Sequence, residues 1–259
     1  MKNSVQLFFS TLLFLFFLPI FLYAQLLVRQ KKEIDPSKPT NLYTQINANL
    51  EYRSGVNQNL FGLKTNVQYA FNPNNLLMLE LPLLYNDKYE HFGISDVRVR
   101  YFNAISRNLT KTLIAIAPFA DITLPSGNYE NGLGISSWTL SVGCVVGLRV
   151  SNKMSFFPGI SYIHITKPGT TLIPDAYKFV SNGFGLQFNA SYRFTKRAFL
   201  FVNPTPSFLY ANDVWKTIWT ADISINKIIT PNKFKVNLGF SPNFTNDLYT
   251  FKFGGTLYL

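Results

Sequence analysis

The sequence has 259 residues, of which 47% are hydrophobic and 16% aromatic, and its formal net charge is +11. A single cysteine excludes an intramolecular disulfide framework. The 24 Lys and Arg residues are scattered along the chain instead of forming a patch or an arm, which argues against nucleic acid as a partner.

The N-terminus has the features of a secretory signal peptide. Lys2 is followed by an uncharged run rich in Leu and Phe, and a small residue, Ala24, precedes the expected cleavage point. We therefore predict residues 1–24 as a cleaved signal peptide and residues 25–40 as a short periplasmic leader. The uncharged run is also nearly long enough to cross a bilayer as a helix, so a retained membrane helix is the alternative.

From residue 41 to residue 259 the chain alternates between apolar and polar residues. The pattern is clearest in residues 182–210, where Phe184, Leu186 and Phe188 are separated by small or polar residues before a polar turn at residues 195–197. A period of two indicates strands with one apolar and one polar face. Each half of this hairpin has roughly 11 to 13 residues, which is enough for a tilted strand to cross a bilayer.

About twelve such segments follow one another. In chain order they are residues 42–52, 60–71, 76–85, 94–105, 112–123, 138–150, 154–166, 182–194, 198–210, 215–228, 234–242 and 248–259. The fifth has the least regular pattern, and the pattern of the seventh does not decide which side faces inward. Connections after even-numbered segments are short, whereas several after odd-numbered segments are long. Short turns on one rim, long loops on the other and an even strand number are typical of outer-membrane barrels.

A secreted β-sandwich or a lipocalin-like barrel would alternate as well, with its apolar face turned inward. Two features favour the membrane. The polar faces combine charges with Gly, Asn, Gln and Ser, and aromatic residues recur towards the strand ends, as in interfacial girdles: Tyr85, Tyr101, Tyr192, Phe194, Tyr210, Trp215 and Tyr249. We predict an all-β protein, a single transmembrane antiparallel β-barrel in the outer membrane of a Gram-negative bacterium.

Charged residues on the polar faces are the candidate lumen-lining residues. A charge facing the middle of a bilayer costs ~2 to 4 kcal/mol for Arg or Lys, so alternation is expected to turn these residues inward. They could pair and fill a narrow barrel, or their excess positive charge could line a passage that favours anionic or polarisable solutes. The set is Lys64, Glu80, Asp96, Arg98, Arg100, Asp121, Arg149, Arg193, Lys216, Asp222 and Lys235.

Two stretches resemble a known family. GISDVRVRYFNAI at residues 93–105 and DITLPSGNYENGLG at residues 121–134 are similar to the Gly-x-x-Asp strand and the LPTG-type loop of the outer-membrane transporters grouped with the phenol-degradation meta-pathway (MetA-pathway) proteins. Ser126 stands where that loop usually has Thr.

By this resemblance, Asp96 corresponds to the strand aspartate, and Pro125 and Gly127 correspond to the loop motif. These residues are expected to have either a structural or a functional role. In the structural role, Gly127 would supply a positive φ in a turn. The resemblance implies a barrel that passes small, often hydrophobic or aromatic, compounds.

We predict a channel for diffusion or uptake of small solutes, without catalytic residues, metal or cofactor. The expected partners are outer-membrane lipid, the barrel-assembly machinery, which would recognise the amphipathic last strand ending at Leu259, and a small-molecule solute. One alternative is a closed structural or surface-binding barrel acting through residues 124–137 and 167–181. A membrane lipid-modifying enzyme using His164 with a nearby serine is the other.

Overall fold

The computed structural model describes residues 34–107 and 109–259. The predicted signal peptide and most of the predicted leader lie outside the described residues.

The described residues form twelve antiparallel strands, as the alternation predicts, together with a 3-10 helix at Asp175–Tyr177. The observed strand ends differ from the predicted ones by a few residues. We number the strands in chain order: β1 (Gln45–Ser54), β2 (Asn59–Asn72), β3 (Asn75–Asn86), β4 (His91–Ile94, Val97–Asn103 and Ser106–Arg107), β5 (Leu113–Leu124), β6 (Thr139–Arg149), β7 (Met154–Ile165), β8 (Ser181–Arg193), β9 (Ala198–Ala211), β10 (Val214–Thr230), β11 (Phe234–Asn243) and β12 (Leu248–Tyr258).

The sheet closes into a barrel. Each strand pairs with its neighbours in sequence, and β1 pairs antiparallel with β12, from Gln45 opposite Tyr258 to Ser54 opposite Tyr249. The turns at residues 73–74, 150–153, 194–197 and 231–233 lie at one end, which we call the short-turn rim. The loops at residues 125–138 and 166–180 lie at the other end, the long-loop rim. This is the predicted asymmetry.

The outer surface of the barrel is apolar. Large hydrophobic side chains are exposed along almost every strand, although a barrel in water would bury them. The alternative of a soluble β domain is therefore wrong. Representative exposed side chains away from the strand ends are Leu50, Leu63, Val142, Ile160, Phe188, Trp219, Ile225, Leu238, Phe251 and Phe253.

Exposed aromatic side chains gather near both rims, where amphipathic rings suit a membrane interface. Tyr69 and Phe71 contact each other edge to face near the short-turn rim, with ring centroids 4.9 Å apart. Tyr210 and Trp215 lie 5.4 Å apart near the long-loop rim. The strands between them have 10 to 17 residues in all but the segmented β4, so the apolar band has the height that a bilayer requires.

The fourth strand is not the single continuous segment that the sequence predicts. It consists of three short segments, because the ladder is interrupted at residues 95–96 and 104–105. The backbone remains paired there, since Ser95 N–H donates to Pro82 O at 2.9 Å and Ala104 N–H donates to Asn74 O at 2.7 Å. The first interruption turns Asp96 towards a loop of the long-loop rim.

The facing of β7, which the pattern left open, follows from burial. Phe157 is fully buried and Ser155 is buried, whereas Ile160 and Tyr162 are exposed. Odd-numbered residues of this strand therefore face the interior. In the part of the chain that the structure describes, no helix is long and apolar enough to cross a membrane.

Candidate functional site

The candidate site is the barrel interior, where the face opposite the exposed hydrophobic side chains carries most of the charges. Lys64 on β2 and Glu80 on β3 form an ion pair, with Nζ 2.8 Å from Oε1. Glu80 also lies opposite Arg98 of β4 in the strand register. The alternation predicted that these residues share a face, but not which of them pair.

One buried carboxylate holds two guanidinium groups. Asp121 on β5 lies opposite Arg100 in the register. Its Oδ1 accepts from Arg98 Nε at 2.8 Å, and its Oδ2 accepts from Arg100 Nε at 3.0 Å. The Arg100 guanidinium also lies 5.0 Å from the centroid of the Phe119 ring, a cation–π contact. Two cations share one anion, so this group of three residues keeps a net positive charge.

The opposite wall carries fewer acids. Asp222 on β10 pairs with Lys252 on β12 at 3.2 Å and accepts from Ser241 Oγ at 3.0 Å. Lys235 on β11 donates instead to an amide, with Nζ 2.8 Å from Asn226 Oδ1, and lies 5.7 Å from the Phe199 ring centroid. This wall therefore presents a lysine bound to a neutral acceptor.

Part of the interior is apolar. Ile114, Phe119, Val145 and Phe157 form a buried cluster, and Phe102 packs against it. The cluster lies on the inner faces of β4 to β7, and it explains why the pattern of the fifth segment was irregular. Apolar inward residues on that strand obscure the alternation.

Residues before β1 cross the short-turn rim. Asp35 Oδ2 lies 3.8 Å from Arg193 Nη1 on β8, which is five strands away from β1 around the barrel. Ile34 N–H donates to Asn232 Oδ1 at 2.8 Å, and Ser37 and Thr40 are buried. We call residues 34–44 the crossing segment. No periodicity in the sequence indicated this placement.

Asp35 is held as a carboxylate in the crossing segment. Burial opposes its ionisation, but the hydrogen bond from Ser37 and the nearby Lys38 ammonium outweigh burial, so the pKa of Asp35 lies below its ordinary value. Lys38 Nζ lies 3.3 Å from Asp35 Oδ2. The carboxylate thus stays charged near neutral pH and keeps its contacts with Lys38 and Arg193.

The two motifs that carry the family resemblance contact each other at the long-loop rim. The Asp96 carboxylate accepts from Gly127 N–H at 3.0 Å and from Ile135 N–H at 2.9 Å. Ser126 Oγ accepts from Val97 N–H at 2.8 Å and donates to Ser95 O at 3.0 Å. Asp96 therefore fastens the loop at residues 125–138, which begins with Pro125.

The expectation that Gly127 has a positive φ is wrong. The glycine with a positive φ in this loop is Gly132, at +66°. Gly127 is required for another reason, because a Cβ there would lie 2.3 Å from Leu133 O. The close approach turns Leu133 inward, where it is 2% exposed and packs on Leu60 and Leu84. The loop thereby narrows the long-loop rim.

Replacing Asp96 with alanine is expected to release this loop. Each hydrogen bond from a backbone N–H to a carboxylate is worth ~1.5 to 3 kcal/mol, so both amides should lose most of their protection from hydrogen exchange. Mass spectrometry of peptides containing Gly127 and Ile135 measures this loss. Asp175→Ala, which removes an exposed carboxylate from the other long loop, is the control. Unchanged protection in Asp96→Ala would show that the loop is held by packing alone.

The remaining predicted residues lie near the ends of the barrel. Arg149 and Arg193 are near the short-turn rim, whereas Lys216 is exposed near the long-loop rim. His164 Nδ1 contacts Asn182 Oδ1 at 2.7 Å, so its partner is an amide and not the serine of the enzyme alternative. Among residues 34–107 and 109–259, no three His, Cys, Asp or Glu side chains are grouped as metal ligands.

No family model matches the sequence, and no curated protein matches it at a significant level. Several solved structures do resemble this protein. The COG4313 outer membrane channel from Pseudomonas putida F1 is 13% identical with a TM-score of 0.59, covering 88% of this chain and 100% of that one. The NanC porin is 12% identical with a TM-score of 0.61, covering 83% and 100%. The KdgM porin is 11% identical with a TM-score of 0.53, covering 83% and 99%. The fold is that of outer-membrane β-barrels.

Proposed function

We propose that this barrel is a channel for small polar solutes in the outer membrane of a Gram-negative bacterium. The observation that carries the proposal is that solvent reaches charged side chains on the inner wall. The side chains of Arg98 and Arg100 are 34% and 26% exposed, and the Asp222 side chain on the opposite wall is 47% exposed. Charged groups inside a barrel must be paired or hydrated. A water-containing interior lined by such groups suits the passage of small polar solutes.

The charge of the interior favours anions over cations. Asp121 neutralises only one of the two guanidinium groups it binds, and Lys235 is bound to an amide. Excess positive charge near a passage attracts anions and repels cations. The candidate lumen-lining residues near the middle of the barrel are therefore proposed to set charge preference, while Arg149, Arg193 and Lys216 act at the two rims.

Further assignments accompany this proposal. They comprise export by the signal peptide, contact with outer-membrane lipid, and recognition of β12 by the barrel-assembly machinery. The direct contact between Asp96 and Gly127 supports a relationship with the MetA-pathway transporters, whose resemblance rests on the same two stretches. Passage of hydrophobic or aromatic compounds stays a prediction from that resemblance.

Conductance in planar lipid bilayers tests the channel. Purified full-length protein is expected to produce discrete steps of current, and a salt gradient is expected to give a reversal potential of the sign that indicates anion preference. Steps absent at all voltages would favour the closed structural barrel instead. A cation preference would be compatible with a channel but would contradict the proposed role of the interior arginines in selecting anions.

A further inference from the structure

A cavity of about 240 Å³ lies at the short-turn rim between the crossing segment and strands β6 to β8. Four of the side chains lining it are basic: Lys38, Arg149, Lys153 and Arg193. Its other lining residues are serines and one asparagine, and it has no carboxylate in its wall. Such a lining offers hydrogen-bond donors and positive charge to a ligand that supplies oxygen acceptors and negative charge.

Two of the four cations have no competing partner. Within the described residues neither Arg149 nor Lys153 forms an ion pair, whereas Lys38 and Arg193 share the Asp35 carboxylate at 3.3 and 3.8 Å. The longer of these two contacts is near the limit of an ion pair. Four positive charges therefore surround the cavity, and among residues 34–107 and 109–259 the Asp35 carboxylate that pairs with two of them offsets these charges only in part.

The position of the serines shows which side of the barrel wall the cavity faces. Ser155 and Ser191 are buried, while their sequence neighbours Met154 and Tyr192 are exposed on the outer surface. Alternation along a strand thus places both hydroxyl groups on the inner side. A ligand reaching them comes from the aqueous mouth of the barrel and not from the surrounding bilayer.

We propose that this cavity binds a free phosphate-type oxyanion, either inorganic phosphate or a small phosphomonoester. The Arg149 guanidinium can present paired N–H donors to such an anion, and the Arg193 guanidinium adds charge although its Nη2 already donates to Asn152 O at 2.8 Å. Two ammonium groups add further charge, and buried hydroxyl groups donate hydrogen bonds. The cavity volume of about 240 Å³ admits an anion of this size together with bound water, since one water molecule needs only ~10 to 15 Å³ of cavity volume. Asp35 then acts as the internal competitor for Lys38 and Arg193.

Calorimetric titration of the full-length protein with inorganic phosphate tests the site. The protein is kept in a non-ionic detergent free of phospholipid, and heat-modifiable migration on a denaturing gel shows that each variant is folded. Saturable binding is expected, and the double substitution Arg149→Gln with Lys153→Gln should weaken it about tenfold or more, because two charge-assisted contacts are lost. Lys196→Gln removes a cation from the same rim outside the cavity and should leave the affinity unchanged.

Asp35→Asn is expected to change phosphate affinity in the opposite direction from the double substitution. Removing the competing carboxylate should tighten phosphate binding, while a purely structural role for the carboxylate would leave affinity equal or lower. The proposal is overturned if phosphate does not bind saturably, or if Lys196→Gln weakens binding as much as the double substitution. Displacement of bound phosphate by micelles containing an anionic phospholipid would identify a lipid headgroup as the ligand and overturn the free-anion assignment. No current is measured, so these outcomes are independent of whether the barrel conducts.

Discussion

Replacing Asp121 with asparagine is expected to lower the free energy of unfolding of the barrel by about 3 to 5 kcal/mol, the usual cost of removing one partner from a buried ion pair. Asp121 is 8% exposed, and its carboxylate binds both Arg98 and Arg100. The substitution leaves two adjacent guanidinium groups without the carboxylate to which both are hydrogen bonded. Urea titration in lipid vesicles, followed by tryptophan fluorescence, measures the loss.

Asp222→Asn is the matched control for this prediction. It also removes one carboxylate from an interior ion pair, but the Asp222 side chain is 47% exposed and pairs with Lys252 alone. Solvent screens such a pair, so the expected loss is about 1 kcal/mol or less. Equal losses in the two variants would contradict the idea that the shared, buried carboxylate is the main electrostatic support of the wall formed by β4 and β5.

Deleting residues 34–41 is expected to increase the single-channel conductance several-fold. Asp35 reaches Arg193 on a strand far from β1, and Ser37 and Thr40 are buried, so this stretch obstructs the short-turn rim. Removing it leaves β1 intact, because the strand begins at Gln45. Recordings in planar bilayers under identical salt conditions compare the deletion variant with the full chain.

Asp35→Asn is expected to have a smaller effect of the same sign, since it removes the contacts with Lys38 and Arg193 but keeps the chain in place. More frequent transitions between conductance levels would accompany it. If the deletion variant conducts like the full chain, the crossing segment does not limit ion flow. If neither protein conducts, the channel proposal itself fails.

The number of strands, their positions and the facing of most side chains could be predicted because a period of two carries that information directly. Phe184 and Phe188 alternate with small or polar residues and are indeed exposed, as predicted. The interruption of the fourth segment could not be predicted, because a bulge changes backbone pairing without leaving a clear pattern in the side chains.

The candidate site was harder to predict because it depends on contacts between distant parts of the chain. Alternation placed Asp121 and Arg98 on polar faces, but their pairing depends on register, which a strand pattern alone does not give. Leu133 lies in a loop, and nothing local distinguishes it from an exposed leucine. Asp35 likewise precedes the periodic part of the chain, so its approach to Arg193 appears only in the folded barrel.

Pairing between the first and last strands has a consequence for biogenesis. Residues 45 and 258 lie opposite each other, so a polypeptide without β12 lacks the strand that closes this barrel on β1. A polypeptide that stops before β12 leaves the backbone N–H and C=O groups of β1 and β11 without partners, and unpaired strand edges recruit other chains into aggregates. With export as proposed, products that end before β12 should be found with periplasmic proteases and chaperones, and the barrel closes only after β12 has been synthesised.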